Sequence, residues 1–190
     1  MASPQLQGMR VAILATDDVE QSELTEPKRA LEEAGAQAVL VSPRAGEIQG
    51  MNHDEKADCF PVDQPLAEAD PERFDAAVLP GGALNADSLR VAPEAKTFIT
   101  AMDRAGKPIA VICHGSWLLV STGLVSGRKM TSYPTIQDDL RNAGAEWRDV
   151  EVLRDRNWVS SRRPADLPAF NREMLSLFAE HQAGRTAKAA

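Results

Sequence analysis

Four short runs, RVAILA (10–15), QAVLVS (37–42), FDAAVLP (74–80) and KPIAVIC (107–113), are continuously apolar rather than alternating. A strand with one wet face carries a polar residue at every second position, so runs without them suit strands covered on both faces, as in a parallel sheet between helical layers. Helical patterns separate the runs. VEQSELTEPKRALEEAG brings Leu24, Ala30, Leu31 and Ala34 to one side and reaches a stop at Gly35. Pro27 within it suits a first turn or a kink. PEAKTFITAMDRAGKP spaces Phe98, Ile99, Met102 and Ala105 along a crossover helix that ends at Gly106. Further on, SYPTIQDDLRNAG reads as a helix and VEVLRDRNWVSS as a hairpin turning at RDRN. RPADLPAFNREMLSLFAEH reads as a terminal helix presenting Leu167, Phe170, Met174, Leu177 and Phe178. No repeat or linker divides the chain. The expected architecture is one α/β domain over residues 9–182, a mostly parallel sheet with helices on both faces, with flexible tails at 1–8 and 183–190.

A chain of 190 residues can bury a substantial core without disulfides or metals. Its 43% hydrophobic and 26% charged residues are the composition of a soluble globular protein. No window approaches the roughly 20 apolar residues of a membrane span. The start MASPQLQGMR lacks the apolar core of a signal peptide, so a cytoplasmic protein without a membrane partner is expected. A net charge of -7 opposes strong binding to nucleic acid. The two cysteines, Cys59 and Cys113, read as free thiols, with Cys59 a partly buried loop thiol. Neither a CxxC nor a His-rich spacing is present, and no metal or cofactor is expected.

In an open α/β sheet, reactive groups gather beyond the carboxyl ends of the strands. There the chain offers TDDVEQSE, PGGALNADSLR, CHGS and SSRRPAD. In IAVICHGSWLL the strand-Cys-His-Gly-helix order resembles a nucleophile elbow, a tight turn that exposes the sulfur above a helix start. A helix start also favours a thiolate and lowers its pKa. The local pattern leaves two accounts open for Cys113, a reactive thiol or a buried core cysteine. The backbone N–H groups of Gly82 and His114 are candidates for an oxyanion hole; Gly81 and Gly82 also suit a simple strand-ending turn. Arg162 and Arg163 read as solvated surface arginines, with an anion-neutralising role at the rim as the alternative.

VICHG, VLPGGALNADSLR, SYPTIQDDLRNAGAEW and NWVSSRRPADLPAF, in that order over roughly residues 9 to 180, resemble the ThiJ/PfpI superfamily, in particular its PfpI-like intracellular protease and general stress protein branch. The resemblance implies a single-domain flavodoxin-like, class I glutamine amidotransferase-like sandwich and homo-oligomers, dimers that can assemble into hexamers. It implies that Cys113 is the reactive cysteine, followed by the histidine His114, and that Glu23, four residues before Pro27, is the glutamate paired with it. An ionised glutamate would repel a thiolate, whereas a protonated one can donate to it, so Glu23 is expected to keep its proton when Cys113 is ionised. Glu20 and Glu26 of the same segment are expected to be surface charges. PfpI-like proteases have a further glutamate after the Gly-Gly turn that reaches the histidine across a subunit interface. Asp87 stands at that place here, one methylene shorter, and the departure puts a Cys113–His114–Asp87 arrangement in doubt.

What the resemblance implies about function is a stress-response protein with a cysteine-dependent hydrolase, deglycase or glyoxalase activity on methylglyoxal or its adducts. Its partners are then a small carbonyl compound or glycated substrate and further copies of itself. An intracellular cysteine peptidase is the first alternative. The second is a non-enzymatic oxidative-stress sensor or chaperone, since a low-pKa exposed thiol is readily oxidised.

Overall fold

The computed structural model describes residues 6–189, and each of the four apolar runs is a strand in it. The chain begins with β1 (Arg10–Leu14), the two-residue β2 (Val19–Glu20), α1 (Gln21–Glu33) and β3 (Gln37–Ser42). A hairpin of β4 (Glu47–Asn52) and β5 (Glu55–Pro61) follows, then β6 (Gln64–Pro65), β7 (Ala76–Leu79), α2 (Ala83–Val91), α3 (Pro93–Arg104) and β8 (Ile109–Ile112). The rest is α4 (Ser116–Ser121), β9 (Lys129–Met130), α5 (Gln137–Asn142), β10 (Glu146–Trp147), β11 (Val152–Asp155), β12 (Trp158–Ser161) and α6 (Leu167–Ala189).

Seven strands form the central sheet in the order β11-β12-β8-β7-β1-β3-β6, parallel throughout except for the β11–β12 hairpin. Strand side chains divide strictly by parity, as the pleat requires. Val11 and Ile13 face Leu24 and Leu31 of α1 and Phe170, Met174 and Phe178 of α6; Ala12 and Leu14 face Phe98, Ile99 and Met102 of α3. Both faces are therefore dry, which is why the runs carry no polar alternation. Among the described residues no helix is long and apolar enough to cross a membrane.

Several expectations are corrected locally. Pro27 lies inside α1 and buried, not in its first turn, and Ala105 caps α3 exposed. Leu6 is fully buried and its N–H donates to Ala34 O (2.7 Å), so packing starts ahead of position 9. α6 continues past 182 to Ala189, while residues 1–5 and 190 of the expected tails lie outside the described residues. Cys59 is exposed on strand β5 rather than partly buried in a loop.

The elbow follows β8 as a single 3-10 turn, Cys113–Gly115, leading into α4. Cys113 adopts φ +60°, a left-handed conformation that costs a non-glycine residue on the order of 1–3 kcal/mol and persists only where surrounding packing enforces it. Part of that enforcement comes from Gly115. A Cβ there would lie 2.5 Å from Leu79 O and 2.8 Å from Pro80 O, so the turn rests directly on the backbone at the end of β7. Gly115→Ala is expected to lower the unfolding free energy by roughly 1–3 kcal/mol, read as a reduced urea midpoint at unchanged slope. Gly184→Ala, with open space around it, is the control and should leave the midpoint in place or raise it.

Candidate active site

The carboxyl ends of β1, β7 and β8 meet the β4–β5 hairpin and the segment just ahead of α6 around a cavity of about 460 Å³. Cys113, His114, Glu23 and Gly82 all line it. Its remaining walls include Asp18, Glu20, Met51 and His53 on one part of the rim and Leu84, Tyr133 and Arg163 on others.

Glu23 is completely buried on α1. Its Oε2 accepts the Gly81 N–H (2.8 Å), Oε1 has no hydrogen-bond partner, and the carboxyl also meets the Cys113 thiol. Burial, reinforced by the charge of Glu20, raises the Glu23 carboxyl to about 8, against the pull of the Gly81 hydrogen bond. At neutral pH Glu23 is therefore a protonated donor, as the sequence reading requires.

The thiol itself corrects that reading. Cys113 is 5% exposed rather than presented to solvent, and burial followed by the neighbouring Glu23 pushes its pKa up, not down. The backbone N–H groups of His114 and Gly82 hydrogen-bond the sulfur and act in the opposite direction. These are the two donors expected for an oxyanion hole, and both converge on Sγ. Cys113 and Glu23 titrate as a coupled pair, so the first proton lost belongs to the pair rather than to either group. His114 Nδ1 stands 3.2 Å from Sγ. Burial lowers the pKa of the imidazole, which is neutral at pH 7 and can accept the thiol proton. Its ring is stacked on Tyr133 (centroids 4.6 Å apart) and meets the edge of Trp117 (5.2 Å), which fixes its direction.

The Gly-Gly turn is held from below. Asn85, fully buried on α2, accepts the Thr16 N–H (2.8 Å) and donates to Gly81 O (2.8 Å) and Pro80 O (3.3 Å). Gly82 needs to be glycine twice over, since its φ is +89° and a Cβ would strike Asp18 O and come within 2.7 Å of Glu20 N. A Cβ at Gly81 would strike Glu23 Oε2 and lie 2.6 Å from Cys113 Cβ.

Asp87 is not part of this assembly. It is exposed on α2, with no bond to His114 within the chain. Glu20, expected on the surface, is 8% exposed and faces the cavity, whereas Glu26 stays on the helix exterior paired with Arg29 (2.6 Å). Arg162 is not a solvated arginine either. It is clamped by Asp166 (2.8 and 3.2 Å) and Asp149 (2.7 Å), and only Arg163 remains at the rim. Asp18, His53, Tyr133 and Asn85 were not picked out from the sequence. Asp18, Asn85 and Tyr133 lay within stretches quoted there, TDDVEQSE, PGGALNADSLR and SYPTIQDDLRNAG, and only His53 lay outside every one of them. Among the described residues no cluster suited to a metal ion is present.

A family model described as the DJ-1/PfpI family matches residues 9–177. Deglycase TK1284 of Thermococcus kodakarensis is 44% identical over 169 residues, covering 89% of this chain and 99% of its own. Protein/nucleic acid deglycase 2 of Escherichia coli is 40% identical over 170 residues, 88% of this chain and 96% of its own. The crystal structure of a ThiJ/PfpI domain protein from Brachyspira murdochii shares the fold at a TM-score of 0.84 and 18% identity, covering 92% of this chain and 98% of that one. With the elbow cysteine and its glutamate in place and the match spanning nearly all of the described chain, the protein belongs to the DJ-1/PfpI family.

Proposed function

We propose that the protein is a cysteine-dependent deglycase that removes methylglyoxal from the amino groups it has modified. The observation that carries this reading is the convergence on one buried sulfur of a neutral imidazole, a protonated carboxyl and two backbone N–H groups, inside a cavity that admits a small molecule. Relatives named as deglycases support it. Because the thiol is raised, it loses its proton as it reacts: His114 Nδ1 takes that proton while Sγ bonds the carbinol carbon of the adduct. The carbon–nitrogen bond breaks, and the amine leaves with the proton from His114. The resulting hemithioacetal shifts its C–H proton to the adjacent ketone carbon through an enediol, so one carbon is oxidised and its neighbour reduced within the same three-carbon unit. Water then hydrolyses the thioester to lactate and restores the thiol. Glu23 and the N–H groups of Gly82 and His114 hold the oxyanions of these steps.

The raised, buried thiol weighs against the oxidation-sensor alternative, because the thiolate is the species that attacks peroxide. A homodimer fits the surface of α2, where Leu84 (62%) and Val91 (69%) are large apolar side chains left exposed. Asp87 on that helix would reach a histidine only in a second copy.

Cys113→Ser and Glu23→Gln are expected to differ in degree on the methylglyoxal adduct of N-acetylarginine, followed by release of free N-acetylarginine and lactate. The serine variant should lose activity outright, and the glutamine variant about a hundredfold, the lower end of a lost proton-transfer group. Wild type no faster than Cys113→Ser on any adduct, together with cleavage of casein by wild type alone, would move the assignment to a peptidase.

The pH dependence follows from Glu23. A donor whose pKa is about 8 is protonated below that pH, so kcat should fall as pH rises through about 8, and Glu23→Gln should lack that limb. Stability moves the same way. The folded state holds a proton that the unfolded chain releases in the ordinary carboxylate range, so wild type binds more protons when folded and loses stability from that range up to about pH 8. Urea midpoints measured between pH 5 and 8.5 should decline more steeply for wild type than for Glu23→Gln.

A further inference from the structure

One wall of the Cys113 cavity carries charge that the proton transfers leave unused. Glu20 has a side chain only 10% exposed, with Oε2 accepting the His53 N–H (3.2 Å) and lying 3.8 Å from His53 Nδ1, and Oε1 at 3.4 Å from Ser22 Oγ. Asp18 lines the same wall. Among the described residues no lysine or arginine nitrogen lies within 4 Å of either carboxylate, although Asp17, next in the chain, is paired with Arg44. An ionised carboxylate withdrawn from water costs several kcal/mol unless a counter-charge or good hydrogen bonds compensate it. Here the bonds are long and the imidazole near it is 78% exposed. The backbone is also held out of its ordinary range, at φ +64° for Asp18 and +58° for His53, which marks a wall kept in place by its surroundings. Buried Glu23 Oε1, free of a conventional partner, belongs to the same cavity.

We propose that Asp18 and Glu20 form a cation subsite that receives the guanidinium of a glycated arginine side chain, with the His53 backbone N–H as a positioning group for Glu20. The proposal rests on the deglycase reading. An arginine adduct keeps its positive charge on the group bonded directly to the reacting carbon, so the cation must be held within the same cavity as Sγ, where these carboxylates stand. The planar fork of a guanidinium suits a pair of carboxylates better than an ammonium does. A thiol adduct is neutral and a nucleotide adduct carries phosphate, and neither offers this wall a counter-charge. Arg163 on the rim leaves the wall acidic, because Glu23 is neutral and Arg163 is exposed to solvent.

The test is a ratio. kcat/KM is measured for the methylglyoxal adducts of N-acetylarginine and of N-acetylcysteine, in wild type, Glu20→Gln and Asp18→Asn. The arginine-over-cysteine ratio should fall roughly tenfold in each variant, the size of one charge-assisted contact, and the wild-type ratio should shrink as salt rises. Any effect of Glu20 on folding acts on both substrates and cancels in the ratio, and Asp18→Asn reads the subsite while the Glu20 charge beside Glu23 stays in place. A ratio unchanged in both variants overturns the subsite. If wild type turns over no adduct, it is the deglycase reading that fails, and calorimetry with unreacted N-acetylarginine amide and N-acetylcitrulline amide decides the subsite alone. A preference of wild type for the arginine compound that is lost in Glu20→Gln sustains it; equal binding of the two by wild type overturns it.

Discussion

The N–H of Gly81 holds the Glu23 carboxyl against Cys113, and almost everything else in the site is arranged around that contact. It ties three separate stretches of chain together: the end of β7, the second turn-face of α1 and the elbow after β8. No side chain larger than hydrogen fits at Gly81, because its Cβ would occupy the space where carboxyl and cysteine meet. Asn85 fastens the carbonyl side of the same turn, so the donor is aimed before any substrate arrives. The carboxyl is fully buried, and its high pKa follows from that burial more than from any partner.

The same enclosure changes what kind of nucleophile Cys113 is. An exposed thiol at a long helix start would be ionised in advance, but this one is buried, followed by only a six-residue helix, and faced by a carboxyl. Its ionised form is stabilised by the His114 and Gly82 N–H groups and disfavoured by its dry surroundings and by the neighbouring Glu23. On the proposed mechanism such a thiol hands its proton to His114 in step with attack. The strain at φ +60° is sustained by the dry sheet beneath it, where β8 is flanked by β7 and β12 and covered on both faces.

The sheet was legible because burial on two faces removes polar residues from a strand, a signal that needs no knowledge of the neighbours. The terminal helix was legible for the same reason, since Phe170, Met174 and Phe178 are all fully buried. The β4–β5 hairpin gave no such signal. Its residues are mostly exposed, so nothing in EIQGMN or EKADCFP distinguishes a strand from a polar loop, and His53 at its tip could not be placed at the cavity. Glu20 was misjudged for a different reason. It ends β2, just ahead of α1, and the pairing of β2 with β4 sets it beside His53 at the cavity, a placement that no local pattern announces. The elbow, Gly82 and Glu23 were readable as a motif, but the direction of the thiol pKa was not, because it depends on how much protein closes over the sulfur. Asp87 carried the right kind of side chain at the right distance along the chain, and α2 turns it outward.

The acidic wall and the buried acid are electrostatically linked, and the link gives the order of events. The charge of Glu20 helps hold the proton on Glu23. A guanidinium seated against Glu20 would cancel that charge, removing one of the influences that raise Glu23 and making its proton easier to donate. The acid would then become a better donor only when the cationic substrate is in place, and a neutral compound entering the cavity would meet Glu23 still holding its proton firmly. Selectivity and proton transfer would share one carboxylate, without any movement of the backbone.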